Sequence, residues 1–149
     1  MVLNMCAALR LENESGWTEP ESRRGGYGKT MFELYGNRIR MTQGDTGILT
    51  MLAGESGHVF TDADRAVFTV RRQSGELAAE MMLTPEADGR VQIPFTNSFT
   101  DGLEPGSYKW DVRYVLGAVL ENGRVVDGAE VITPMLPGTL TIVEAVGRI

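Results

Sequence analysis

The chain has a single cysteine, Cys6, and a single histidine, His58. One thiol excludes an internal disulfide, and one imidazole removes most zinc-ligand sets and most nucleophile–base arrangements. Aromatic residues are sparse, at 7% of 149. No apolar run approaches the ~20 residues that cross a bilayer as a helix, so no membrane partner is expected. Cations are also short, with 14 Lys plus Arg against 20 Asp plus Glu and a net charge of −6. That balance argues against nucleic acid as a partner, because phosphate binding needs clustered cations to release counterions. The run 2–9 is interrupted by Asn4 and has no basic residue before it, so it does not read as an export signal. Synthesis inside the cell is the expectation, with Cys6 a small near-terminal thiol. What remains suffices for a core: 42% of residues are hydrophobic, and a chain of this length buries roughly 68–70% of its unfolded surface.

Residues 1–29 read as an arm and residues 30–149 as one folded domain. In the arm Glu12, Glu14, Glu19 and Glu21 are balanced by Arg10, Arg23, Arg24 and Lys29, and between 13 and 29 the large apolar side chains reduce to Trp17 and Tyr27. Such a segment cannot bury enough surface to offset its ordering entropy, so it is expected to be mobile or docked on a partner. A short helical turn is expected at 5–10. Trp17 and Tyr27 are the interface candidates, since an isolated ring in a polar arm can anchor a contact.

From residue 30 onward the pattern is strand and turn. Period-2 alternation marks 30–35, 37–41, 46–52, 66–72, 77–83, 90–95, 107–116, 125–133 and 139–146. Glycine and proline punctuate them, with Asn122-Gly123 a hairpin signal and Leu103-Glu104-Pro105-Gly106 a strong turn. Asp62-Ala63-Asp64 reads as a polar turn that bonds its own backbone. The only hint of a 3.6 period is a possible turn at 75–82. About seven to nine short strands with turns every 8–12 residues describe an all-β antiparallel sandwich. In the longest strand Tyr108, Trp110, Val112 and Tyr114 share one face, and Lys109, Asp111, Arg113 and Val115 the other. With Phe68, the rings Tyr108, Trp110 and Tyr114 are the expected core.

Candidate chemistry is thin. Asp45-Thr46-Gly47 has the letters of a retroviral-type aspartic protease, in which two copies bring two carboxylates together. Gln43-Gly44 before it and Ile48 after it do not give the dry, small-residue setting that splits the two proton affinities, and an Asx turn explains the same residues. Asp62-x-Asp64 lacks the remaining calcium-loop positions. Gly25-Gly26-Tyr27-Gly28-Lys29-Thr30 lacks the spacing, strand and helix of a phosphate loop. Arg23-Arg24 and Arg71-Arg72 lie scattered among acids, and His58 sits in a loop with no partner at a recognisable spacing. No catalytic residue, cofactor or metal is expected.

The order of motifs is more specific than any one of them. Ile39-Arg40-Met41-Thr42-Gln43-Gly44-Asp45-Thr46-Gly47 is followed by Val67-Phe68-Thr69-Val70-Arg71 and the Asp88-Gly89 turn. Then come Leu103-Glu104-Pro105-Gly106-Ser107-Tyr108-Lys109-Trp110-Asp111-Val112-Arg113 and Pro137-Gly138-Thr139-Leu140-Thr141-Ile142. Across residues 37–146 this resembles the immunoglobulin-like amino-terminal domain of phage baseplate upper proteins and related prophage modules, with Gln43 at a position that is commonly basic there. The resemblance implies an immunoglobulin-like sandwich, a virion structural role in a tail or baseplate, and assembly with itself, in threes or sixes, and with other tail proteins. The alternatives are a carbohydrate- or ligand-binding sandwich and, more remotely, the aspartic protease using Asp45.

Overall fold

In a computed structural model the described residues are 7–12, 33–53 and 59–147; for 7–12 and 52–53 only the backbone path is described. The strands in chain order are β1 (Ala7–Glu12), β2 (Glu33–Tyr35), β3 (Arg38–Thr42), β4 (Gly47–Ala53), β5 (Arg65–Arg72) and β6 (Leu77–Leu83). There follow β7 (Val91–Phe95), one short helix α1 (Asn97–Asp101), β8 (Gly106–Leu116), β9 (Val119–Glu121), β10 (Arg124–Asp127), β11 (Glu130–Ile132) and β12 (Gly138–Val143). The protein is an all-β sandwich. A three-stranded sheet in the order β1-β4-β7 faces a seven-stranded sheet in the order β2-β3-β12-β8-β5-β6. The seventh strand, β11, pairs with β8 at 114–116, beyond the stretch at 106–110 that pairs with β12. Hairpin β9–β10 stands apart from both sheets.

Each long strand forms for the reason its alternation suggests. In β3 Ile39 and Met41 are buried while Arg38 and Arg40 are exposed, and in β7 Val91, Ile93 and Phe95 face inward. All pairings are antiparallel except one: β12 runs parallel to β3. Pro94 lies in β7, at an edge of the smaller sheet, where its missing N–H costs no ladder bond.

Three local expectations are corrected. The segment 7–12 is a strand and not a helical turn; it pairs with Ile48–Ala53 of β4. A single helical turn gains too few bonds to offset nucleation, whereas a ladder with an existing strand needs no nucleus. This places six residues of the expected arm in the smaller sheet. The possible helical turn at 75–82 does not form: 77–83 is strand β6, as its alternation suggests, entered through Gly75 at φ 95°. The stretch 125–133 is two strands, β10 and β11, parted at Gly128, where a Cβ would collide with the Val115 side chain. With β9 and α1, these account for a described total of twelve strands and one helix.

The core runs as a chain of rings between the sheets. Phe68 on β5 meets Phe95 of the opposite sheet edge-on at 5.6 Å and Trp110 on β8 at 5.7 Å, and Phe60 packs on Tyr114 at 5.4 Å. Phe68, Tyr108, Trp110 and Tyr114 are all buried. The polar tips find backbone partners. Tyr108 Oη donates to the Glu104 carbonyl at 2.5 Å, closing the corner between α1 and β8 that immunoglobulin-like sandwiches share. Trp110 Nε1 donates to the Asn37 carbonyl at 3.1 Å, and Tyr114 Oη to the Gly89 carbonyl at 2.6 Å.

Burial, with a smaller contribution from the nearby Asp88 charge, pushes the Tyr114 hydroxyl well above its ordinary value of 10.0. The folded state therefore keeps a proton that the unfolded chain loses. This stabilisation is complete below pH 10 and is lost as pH rises beyond it, by up to about 1.4 kcal/mol per pH unit. Tyr114→Phe should remove that component of the alkaline slope and, by stranding the Gly89 carbonyl, lower stability at pH 7 by about 1–3 kcal/mol. Urea melts of both proteins at pH 7 and pH 11 test this; parallel pH slopes would refute it.

Candidate interaction face

The outward side of the larger sheet is built by the odd residues of β5 and β8 and the even residues of β6. Register aligns Glu80, Thr69 and Asp111 in one row and Met82, Val67 and Arg113 in the next. Arg71 stands opposite Lys109. Hairpin β9–β10, turned by Asn122 and Gly123 at φ 53° and 76°, leans over this face. Arg124 Nη2 holds it there, 2.9 Å from Glu80 Oε1.

Under the hairpin lies a groove of about 480 Å³, and a smaller hollow of about 200 Å³ adjoins it, sharing Thr69, Arg71 and Asp111. Five cations line the two (Arg71, Arg113 and Arg124, then Arg72 and Lys109) against the carboxylates of Glu80, Asp111 and Asp127. Around them stand exposed apolar side chains: Val126 is 54% exposed, Val131 52% and Met82 38%. Two of the arginines are committed to the β5–β6 turn. Arg71 donates to the Gly75 carbonyl at 3.0 Å, while Arg72 pairs with Glu76 at 3.1 Å and stacks over the Tyr108 ring. They shape the end of the groove.

The other sequence candidates sit elsewhere. Asp45 occupies the β3–β4 turn, where Gly44 at φ 89° reverses the chain and the Asp45 N–H donates to Thr42 O at 2.9 Å. Helix α1 buttresses that turn: Asn97 Nδ2 donates to the Gly44 carbonyl and Thr100 Oγ1 to the Asp45 carbonyl, each at 2.8 Å. Burial raises the Asp45 carboxyl above its ordinary value, partly offset by a hydrogen bond from Thr42. Asp45 lines neither groove. Gln43 Nε2 donates to the Asp101 and Leu103 carbonyls at the end of α1, at 3.4 and 3.1 Å.

Asp64 is buried with both oxygens engaged, Oδ2 by Thr61 N–H and Oδ1 by Gly117 N–H, each at 2.9 Å. It is a brace between two loops, with Asp62 exposed beside it. No cluster of three metal-ligating side chains occurs among the described residues. Among the described residues, Tyr35 at the end of β2 is 75% exposed and six rings are buried. Cys6, Trp17, Tyr27, His58 and the segment 25–30 lie outside the described residues. The Asn122-Gly123 hairpin was legible in the sequence and the groove beneath it was not; the signal for the groove was the alternation of β8, which puts Lys109, Asp111 and Arg113 together on the outward side.

The fold and this face define a β-sandwich with a charged groove and an apolar rim on the outside of its larger sheet. No family model matches the chain, and no curated protein matches it. Among solved structures, a crystal structure of CopC from Methylosinus trichosporium OB3b is similar at 13% identity and a TM-score of 0.37, over 68% of this chain and 80% of that one.

Proposed function

We propose that the protein is a non-enzymatic structural subunit of a phage or prophage tail or baseplate, made in the bacterial cytoplasm and assembled into the virion through its sandwich. The observation that supports this most is the apolar rim at Val126, Val131 and Met82, gathered around the groove on the outward side of the larger sheet. A monomer gains nothing by exposing such residues together, whereas assembly buries them. The order of motifs across 37–146 supplies the tail context and the symmetry, threes or sixes, with copies of the same chain and other tail proteins as partners.

Light scattering at increasing concentration tests the assembly. The expected result is a species at a whole-number multiple of 16.3 kDa, and a strictly monomeric protein at high concentration would count against it. Particles purified from an induced lysogen carrying the gene test the context, since the chain should be recovered with the tails. Acid-pH peptide cleavage that disappears in Asp45→Asn would overturn the non-enzymatic reading.

A further inference from the structure

The outward face of the larger sheet holds a like-charge pair that its stability does not call for. Arg71 on β5 and Lys109 on β8 stand directly opposite each other in the antiparallel register, and both are exposed. Like charges in that position repel and weaken the pairing of their strands. Arg71 is held by the Gly75 carbonyl at 3.0 Å, which leaves its charge unneutralised. Among the described residues no carboxylate lies within ion-pair distance of Arg71 or Lys109. Glu76 and Glu104 are drawn to the neighbouring Arg72, at 3.1 and 3.7 Å. Both unpaired cations line the smaller hollow, whose only described carboxylate is Asp111. The chain as a whole has 20 acidic residues against 14 basic ones, so the hollow has the opposite sign to the rest. A rule of local stability broken without a structural return is a mark of a functional site.

The shape around the pair narrows the ligand. The hollow and the groove under the hairpin share Thr69, Arg71 and Asp111, so together they form one trough along β5 and β8. The far end of the trough is apolar, with Val67, Met82, Val126 and Val131. Val67 lies four residues from Arg71 on β5, as Arg113 does from Lys109 on β8, about 13 Å at the rise of a strand. An extended peptide presents every second side chain to one face, so its positions i and i+4 span the same distance. A run of phosphates would meet Asp111, Glu80 and Asp127 along the trough and be repelled. One carboxylate at the cationic end and one apolar side chain under the hairpin meet no such obstacle.

We propose that the trough binds an extended acidic segment of a partner protein. One Asp or Glu carboxylate of that segment sits between Arg71 and Lys109, and an apolar side chain four residues along packs beside Met82, Val126 and Val131. The carboxylate accepts hydrogen bonds from both cations and relieves the repulsion between their strands. The partner is then another tail protein with this acidic and apolar pattern, an identification that rests on the assembly reading above.

The probe is a blocked, fluorescent peptide, Thr-Glu-Thr-Ser-Thr-Leu-Thr, titrated against the full-length chain at low salt. Its anisotropy should rise with a Kd below about 1 mM. Replacing its Glu by Gln, or its Leu by Ser, should weaken binding about tenfold or more. In the protein, Lys109→Glu puts opposite charges in the same register. Its melting temperature should rise on the order of 1–4 °C, while peptide affinity falls more than about tenfold. A lysine with a merely structural role would not separate the two readouts in that way. Arg90→Gln, which removes a cation outside the trough, should leave the affinity unchanged. No binding at about 1 mM peptide, or full affinity in Lys109→Glu, would overturn the site. Tighter binding of a single-stranded DNA of the same length would overturn the peptide as its occupant. Recovery of the chain with purified tails is scored separately, so a chain found in tails that ignores the peptide loses this site and keeps the assembly reading.

Discussion

Gly138→Ala is expected to destabilise the protein by about 3 kcal/mol or more, at the upper end of overpacking costs, and to lower the melting temperature on the order of 6–12 °C. Gly138 opens β12 and is buried opposite Trp110. A Cβ there would lie 2.5 Å from Trp110 Nε1 and 2.7 Å from Cε2, and would also strike the Asn37 carbonyl. That carbonyl accepts from Trp110 Nε1 at 3.1 Å and from Thr139 N–H at 3.2 Å. The Asn37 side chain adds bonds to the Leu136 and Pro137 carbonyls at 3.2 and 3.3 Å. One methyl group therefore disturbs the indole, its hydrogen bond and the start of the parallel β3–β12 ladder together. Neither the indole nor the main chain can yield cheaply. Gly147, whose Cβ would meet nothing within 4 Å, is the control, and Gly147→Ala should leave the melt unchanged. An unshifted melt for Gly138→Ala would mean that β12 is not seated between Asn37 and the indole.

Trp110→Ala should cost about 3–5 kcal/mol, the range for removing a large buried ring. The indole is fully buried, touches Phe68 across β5 and fixes Asn37 through its N–H. Against a total stability of roughly 5–15 kcal/mol, that loss takes the protein close to unfolding at moderate temperature. Trp110→Phe separates the two contributions. It keeps a ring beside Phe68 but leaves the Asn37 carbonyl without the indole donor, so its midpoint in urea should fall between those of the wild type and the alanine variant. Wild-type midpoints for both variants would refute this account of the core.

Much of the sandwich was legible because each long strand states its two faces in its own residues. Strand β8 is the clearest case: Tyr108, Trp110, Val112 and Tyr114 are buried, and Lys109 and Arg113 are exposed. Strand β6 was legible in its limits, and the Asp62–Asp64 turn in its self-bonding. The sequence was silent where structure depends on distant partners. Helix α1 is one turn long, and its only local mark is Thr96, whose Oγ1 accepts from Phe99 N–H at 3.2 Å. Strand β1 exists because β4 offers it a ladder, a fact absent from residues 7–12 themselves. Pro137-Gly138 was readable as a strand break, but the need for an absent Cβ follows only from the indole and carbonyl packed against it. For the candidate face, the outward charges of β8 could be read from alternation. That the Asn122-Gly123 hairpin folds over that face could not, because the Glu80–Arg124 contact joins residues 44 apart.

The parallel pairing of β12 with β3 has a consequence for translation. Ile39 and Met41 leave the ribosome early, yet their neighbours on one side, Leu140 and Ile142, are made roughly a hundred residues later, about 5–20 s at ordinary elongation rates. Once β8 has been made and until β12 follows, the nascent chain holds a half-built sheet whose two portions, β2-β3 and β8-β5-β6, have no strand to join them. Any holdase that binds this protein in the cell should be found on nascent chains arrested before residue 138 and absent from those released after residue 143 has emerged.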